Sequence, residues 1–249
     1  MARDPLQPQL GAEHVPVSDR RNRAEPGRST ISVEVVDDAF RSFVTDSRFP
    51  CLGGASVVRR RTYRLGVYGV LGSASSADRL SRDLAAFVRN APVDGPWPRA
   101  FVAVFPYRAP VTEHAFEQRL WIQLQHLHER DDPTVGWDPV ASADPDDARF
   151  SFSFAGHAFF IVGLHSRSSR RARCFRWPAL VFNPHAQFER LRANGRYARY
   201  QALIRARDLA LQGSLNPNLA DFGERSEARQ YSGRATESDW RCPFHPKIP

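Results

Sequence analysis

The chain has 249 residues, 42% of them apolar, enough for one sizeable core. Its net charge of +8 comes almost wholly from arginine, since Lys247 is the only lysine, and the basic residues are scattered among acids instead of lying in a stripe, which argues against nucleic-acid binding. No apolar run is long enough to cross a bilayer and the start lacks a signal-peptide core, so the expectation is a cytoplasmic protein with no membrane partner; three dispersed cysteines without CxxC spacing exclude a disulfide framework and a zinc cluster.

Residues 1–30 mix Pro, Arg, Glu and Ser without periodicity and are expected to be disordered, leaving one domain over 31–249. ISVEVVDDAFRSFVTD places Val36, Phe40 and Phe43 at helical spacing. FPCLGGASVVRR reads as a glycine-containing loop and TYRLGVYGVLG as a strand. The segment from Ser76 carries Leu80, Leu84, Phe87 and Val88 on one helical face, and RAFVAVFPY is a second strand between prolines.

A long amphipathic helix starts at a capping Thr112 and stops near Pro133. Its periodicity turns Leu120, Trp121, Leu124, Leu127 and His128 toward the core and His126 toward water. FSFSFAGHAFFIVGLH follows as two strands joined at Ala-Gly, PALVFNPHAQF as another strand, and FERLRANGRYARYQALIRARDLALQG as helices. The polar tail NPNLADFGERSEARQYSGR lacks periodicity. This order predicts an α+β fold, a single layered domain with a mixed β-sheet flanked by helices.

Several residues carry potential chemistry. His165 ends an apolar strand and precedes Arg167, Arg170, Arg171 and Arg173; the group is either a wet loop or a site for something both apolar and anionic, because guanidinium forks match paired carboxylate oxygens. His128 is either a core histidine or a ligand, with Asp131 or Asp132 available to take its second N–H. His185 follows a proline turn and is a turn or pocket residue. Cys51 and Cys242 read as buried thiols or thiolate ligands. In the tail, Asp221, Glu224 and Glu227 among arginines form either a salt-bridged surface or a lid whose carboxylates receive a cationic substrate. HExxH, GxSxG and the phosphate-loop signature are all absent.

Taken together, FPC at 49–51, YRLGVYG, LWIQLQHLHERD, FSFSFAGHAFFIVGLH, SSRRARCF, FNPHAQFERLR, the tail and WRCPFH resemble the YqcI/YcgG family, from about Phe49 to Phe244. One departure is Ser166, where many relatives have proline. Characterised relatives are haem proteins that N-hydroxylate guanidino groups, including that of arginine, in natural-product pathways. The resemblance therefore implies haem b, a guanidino or amino substrate, dioxygen or peroxide, and an electron donor. On that reading His165 or His128 is the axial ligand with His185 third, Arg170 and Arg173 face the propionates, Cys51 lies near the cofactor, and Glu224 or Glu227 holds the substrate. The alternative is a non-catalytic haem or anionic-ligand protein, a sensor or carrier.

Overall fold

The computed structural model describes residues 31–90 and 97–247. The expectation of disorder over residues 1–30 lies outside the described residues. Seven α-helices are described: α1 (Val33–Thr45), α2 (Leu52–Arg59), α3 (Ala74–Arg89), α4 (Glu113–His128), α5 (Ala186–Ala193), α6 (Tyr197–Gln212) and α7 (Ala228–Tyr231). Strands β1 (Tyr63–Val67), β2 (Ala100–Val104), β3 (Phe152–Phe154), β4 (His157–Leu164) and β5 (Ala179–Pro184) form one sheet in the order β1-β2-β5-β4-β3. The β1–β2 pair is parallel, joined through α3, and the other pairs are antiparallel, so the sheet is mixed and the fold α+β as the pattern predicts.

Strand alternation sorts the core into two layers. Phe101, Ala103, Phe159, Ile161, Leu180 and Phe182 face α3, α4 and α7. Val102, Val104, Leu164 and Ala179 face Val36, Phe40 and Val44 of α1 and Val58 of α2. The second layer is incomplete over β4 and β5. There the directly opposed pairs Phe160–Asn183 and Val162–Val181 are only half-buried, while their neighbours along each strand are closed off.

The helix starts behave as capping chemistry requires. Thr112 Oγ1 accepts from the Ala115 N–H at 3.0 Å, and Ser73 does the same for Ser76 at 3.3 Å. The β3–β4 turn has positive φ at both Ala155 and Gly156, the conformation a two-residue hairpin favours. Three expectations are corrected. FPCLGGASVVRR is not a loop: α2 forms because burying Ala55, Val57 and Val58 outweighs the roughly 1 kcal/mol per glycine that a helix loses. His126 faces water only in part: the residue is half-buried and its Nδ1 is closed off without a hydrogen-bond partner. The tail is no polar surface, since Glu227, Ala228, Gln230, Tyr231 and Ser232 are all buried.

Candidate functional site

The residues singled out from sequence fall into separate places. His165 follows the Leu164–Ala179 end of the β4–β5 ladder and His185 the opposite, Phe159–Pro184 end. At about 3.3 Å per residue the two imidazoles stand roughly 20 Å apart. At that separation one ligand atom cannot join them.

At the first end, His165 is 1% exposed and its ring stacks on Phe116 with centroids 4.2 Å apart. Neither ring nitrogen has a hydrogen-bond partner, and burial pulls its pKa down to about 4, with Glu113 opposing and Arg173 reinforcing that shift. It is a neutral imidazole at pH 7. The His165 N–H donates to the Arg173 carbonyl at 3.0 Å, which brings the arginine loop back onto the strand end. Arg173 in turn donates to the carbonyls of Gly163, Tyr231 and Gln230, each at 3.1 Å. Burial lowers its pKa to about 10, partly offset by Asp208 and Cys51. Arg170 donates to Asp208 Oδ2 and to the Ser214 carbonyl, both at 2.6 Å. Both guanidinium groups thus serve protein acceptors. Cys51 caps α2, accepting from the Gly54 N–H at 3.3 Å, and burial pushes its thiol pKa up, keeping it protonated.

Glycine is required within this cluster at position 163. A Cβ there would lie 2.7 Å from the Phe116 ring and 2.8 Å from the Tyr231 carbonyl oxygen. Strand, α4 and tail can therefore meet at one point.

The second end is differently furnished. Pro184 closes β5, the His185 N–H donates to the Ala158 carbonyl at 2.8 Å, and His185 then caps the start of α5. The imidazole is 1% exposed and lies between two carboxylates: Nδ1 is 3.5 Å from Glu189 Oε1 and Nε2 is 3.4 Å from Glu227 Oε1. Neither approach has hydrogen-bond geometry, so both nitrogens lack a partner, as does the buried Glu227 Oε2. Phe222 covers the ring at 4.4 Å between centroids, with Phe188 at 6.1 Å. Phe188 in turn packs against Phe160, with ring centroids 6.0 Å apart, and Phe160 against Tyr231 at 5.9 Å.

Glu224 does not join Glu227. It is exposed, its Oε2 accepts from the Asp221 N–H at 3.0 Å, and it borders a separate cavity of about 210 Å³ with Asp146, Arg229 and Trp240. His128 stands apart as well: its Nε2 accepts from the Lys247 N–H at 2.8 Å and its ring packs against Phe244 and Trp137. Asp131 is not its partner, because both carboxylate oxygens accept from the Ala155 N–H, and Asp132 instead caps Thr134. Sequence reasoning missed Glu189 and Phe222. Glu189 was within reach of the rule that residues four apart share a helix face, but nothing in the sequence aims Phe222 at an imidazole 37 positions earlier.

Among the described residues no group of three or more His, Cys, Asp or Glu could hold a bare metal ion. A porphyrin asks less of the protein, since it brings four nitrogens and needs one axial side chain and apolar walls. His128 has its Nε2 engaged, and His165, equally buried, has no carboxylate paired with its ring among the described residues and neighbouring guanidinium groups that are committed to protein acceptors. His185 fits: its nitrogens are free of hydrogen bonds, Phe222 and Phe188 give it apolar surroundings, and Glu189 is placed to take the second N–H of a ligating imidazole. A metal held by Nε2 would need the Glu227 carboxylate, now 3.4 Å away, to turn aside.

Comparison with known proteins places these residues in a wider set. The YqcI/YcgG family model matches residues 40–245. The chain is 27% identical over 206 residues to Uncharacterized protein YcgG of Bacillus subtilis (strain 168), covering 79% of this chain and 80% of that protein. It is 24% identical over 207 residues to Uncharacterized protein YqcI of the same organism, covering 80% and 81% respectively. No solved structure matches.

Proposed function

The chain belongs to the YqcI/YcgG family, and from that premise we propose that it is a haem-dependent oxygenase that N-hydroxylates a guanidino or amino compound, with His185 as axial ligand. The observation that carries this reading is His185 itself, buried against Phe222 and Phe188 with both ring nitrogens unpartnered. Leaving such a group unsatisfied costs about 1–3 kcal/mol, so it favours a ligand that uses it.

Bound haem would supply the activation of dioxygen or peroxide, with an electron donor where dioxygen is used. The protein's own residues would do the rest. Glu189 orients the imidazole through Nδ1. Phe222 and Phe188 offer apolar surface that excludes water from the ring. Glu227, buried at the start of α7 with Oε2 free, would be the acceptor for a cationic nitrogen group once its carboxylate is turned away from Nε2. Arg170 and Arg173, committed to protein partners, hold the arginine loop against α6 and the tail.

The test is the absorption spectrum of protein purified from haem-supplemented cells, oxidised, reduced and with carbon monoxide. Wild type, His165→Ala and His128→Ala should show a Soret band that His185→Ala lacks. A band that survives His185→Ala but not His165→Ala would move the site to the other end of the sheet. A wild type that stays colourless through haem titration would end the haem reading. Hydroxylation of arginine or another guanidine by the loaded protein would then separate an enzyme from a haem carrier.

A further inference from the structure

A helix exposed to water normally turns its apolar stripe inward. In α6 the arrangement is reversed. None of its sixteen residues is buried, and Ala202, Leu203, Ala206, Leu209 and Ala210 are exposed, Leu203 and Leu209 to 45% and 48%. Polar side chains make its attachments. Asp208 accepts from Arg170 at 2.6 Å, Arg207 donates to the carbonyls of Ser47 and Phe49 at 2.6 and 2.9 Å, and Gln212 accepts from the Arg171 N–H at 2.8 Å and donates to the Ser169 carbonyl at 3.0 Å. Nearer its start, Gln201 and Arg205 both donate to Asp221.

Both ends of the helix carry pivots. Gly195 precedes it at φ +69° and Gly213 ends it at φ +81°, conformations that side chains other than glycine's rarely adopt. A Cβ at either would meet nothing within 4 Å, so packing does not demand glycine there and backbone freedom does. The helix thus bridges from α5, at the His185 end, to the arginine loop at the other end. Asp221, its contact on the tail, is the residue next to Phe222, whose ring covers His185.

We propose that α6 is a lid on the His185 site, latched by Asp208 to Arg170 and by Gln201 and Arg205 to Asp221, so that releasing the latches frees Phe222 to leave the imidazole. The proposal rests on His185 being the functional centre. Opening exposes no fully buried residue of α6 and breaks mainly polar contacts, of which the Arg170–Asp208 pair, 11% and 16% exposed, is the one that holds the lid closed.

The test needs no haem. Two readouts are taken on the full chain: hydrogen exchange of residues 198–212, and the rate at which diethylpyrocarbonate modifies His185, followed by mass spectrometry. Wild-type α6 should exchange at least tenfold faster than residues 116–127 of α4. Asp208→Ala and Asp221→Ala should each raise the His185 modification rate severalfold without changing α4 exchange, whereas Asp78→Ala, which removes the remote Asp78–Arg130 pair, should not. Exchange of α6 as slow as that of α4, or His185 modification unchanged in both latch variants, would overturn the lid. A colourless protein would count against haem and leave both readouts valid.

Discussion

Arg234 and Glu117 meet at 2.7 Å although 117 positions separate them, and the same carboxylate accepts from Ser232 Oγ at 2.9 Å. Both side chains are largely buried, so this pair fastens the tail, and with it Glu227, to α4. Removing one partner strands the other: Glu117→Ala should cost about 3–5 kcal/mol in urea denaturation. Replacing both by methionine should recover most of that loss. A single variant as stable as wild type would mean that the tail is held elsewhere.

Gly163→Ala should destabilise by about 1–3 kcal/mol through overpacking. Two obstacles face the new methyl, the Phe116 ring and the Tyr231 carbonyl. Adding Phe116→Ala should therefore not restore stability, because the backbone carbonyl remains and a cavity is added. Full rescue in the double variant would show that the side-chain clash alone matters.

Acid should weaken the fold through His165. Its folded pKa of about 4 lies below the ordinary value, so the unfolded chain takes up the proton first. The stabilisation it contributes is present above about pH 6.5 and is lost as pH falls toward 4, at most about 3 kcal/mol. Between those limits, thermal or urea unfolding should become easier more steeply in wild type than in His165→Gln. Parallel curves would show that other groups set the acid limit.

Substrate affinity is expected to depend on Glu227 and much less on Glu224. Glu227→Gln should raise KM for a guanidinium substrate roughly 10- to 100-fold, the equivalent of a charged hydrogen bond of about 1.5–3 kcal/mol. Glu224→Gln, which alters only an exposed turn, should leave KM within about twofold. Equal effects of the two substitutions would place the substrate nearer the cavity by Trp240.

The legible parts of this molecule are those with a local cause. Leu80, Leu84 and Phe87 on α3, and Leu120, Trp121, Leu124 and Leu127 on α4, are buried as their spacing requires. The Ala-Gly hairpin follows from turn chemistry. Non-local facts were not legible. Nothing in the sequence says that β5 inserts between β2 and β4, and it is this pairing that sends His165 and His185 to opposite ends. Nor does tail composition reveal that Tyr231 reaches the β3–β4 pair, its hydroxyl accepting from the Phe152 N–H at 3.0 Å. The histidines stood in the sequence as rival ligands, and strand register shows that His165 and His185 belong to separate sites.

The position of β5 also bears on how the chain must be made. The parallel β1–β2 unit and the β3–β4 hairpin are adjacent to β5 on either side, yet β5 follows all four in sequence. A nascent chain that stops before Ala179 holds two half-sheets, each with an unpaired edge open to a neighbour's backbone. Synthesis of residues 179–184 closes both edges in one step, over contacts of long sequence separation that form slowly. The interval before that closure is when this protein is most exposed to aggregation.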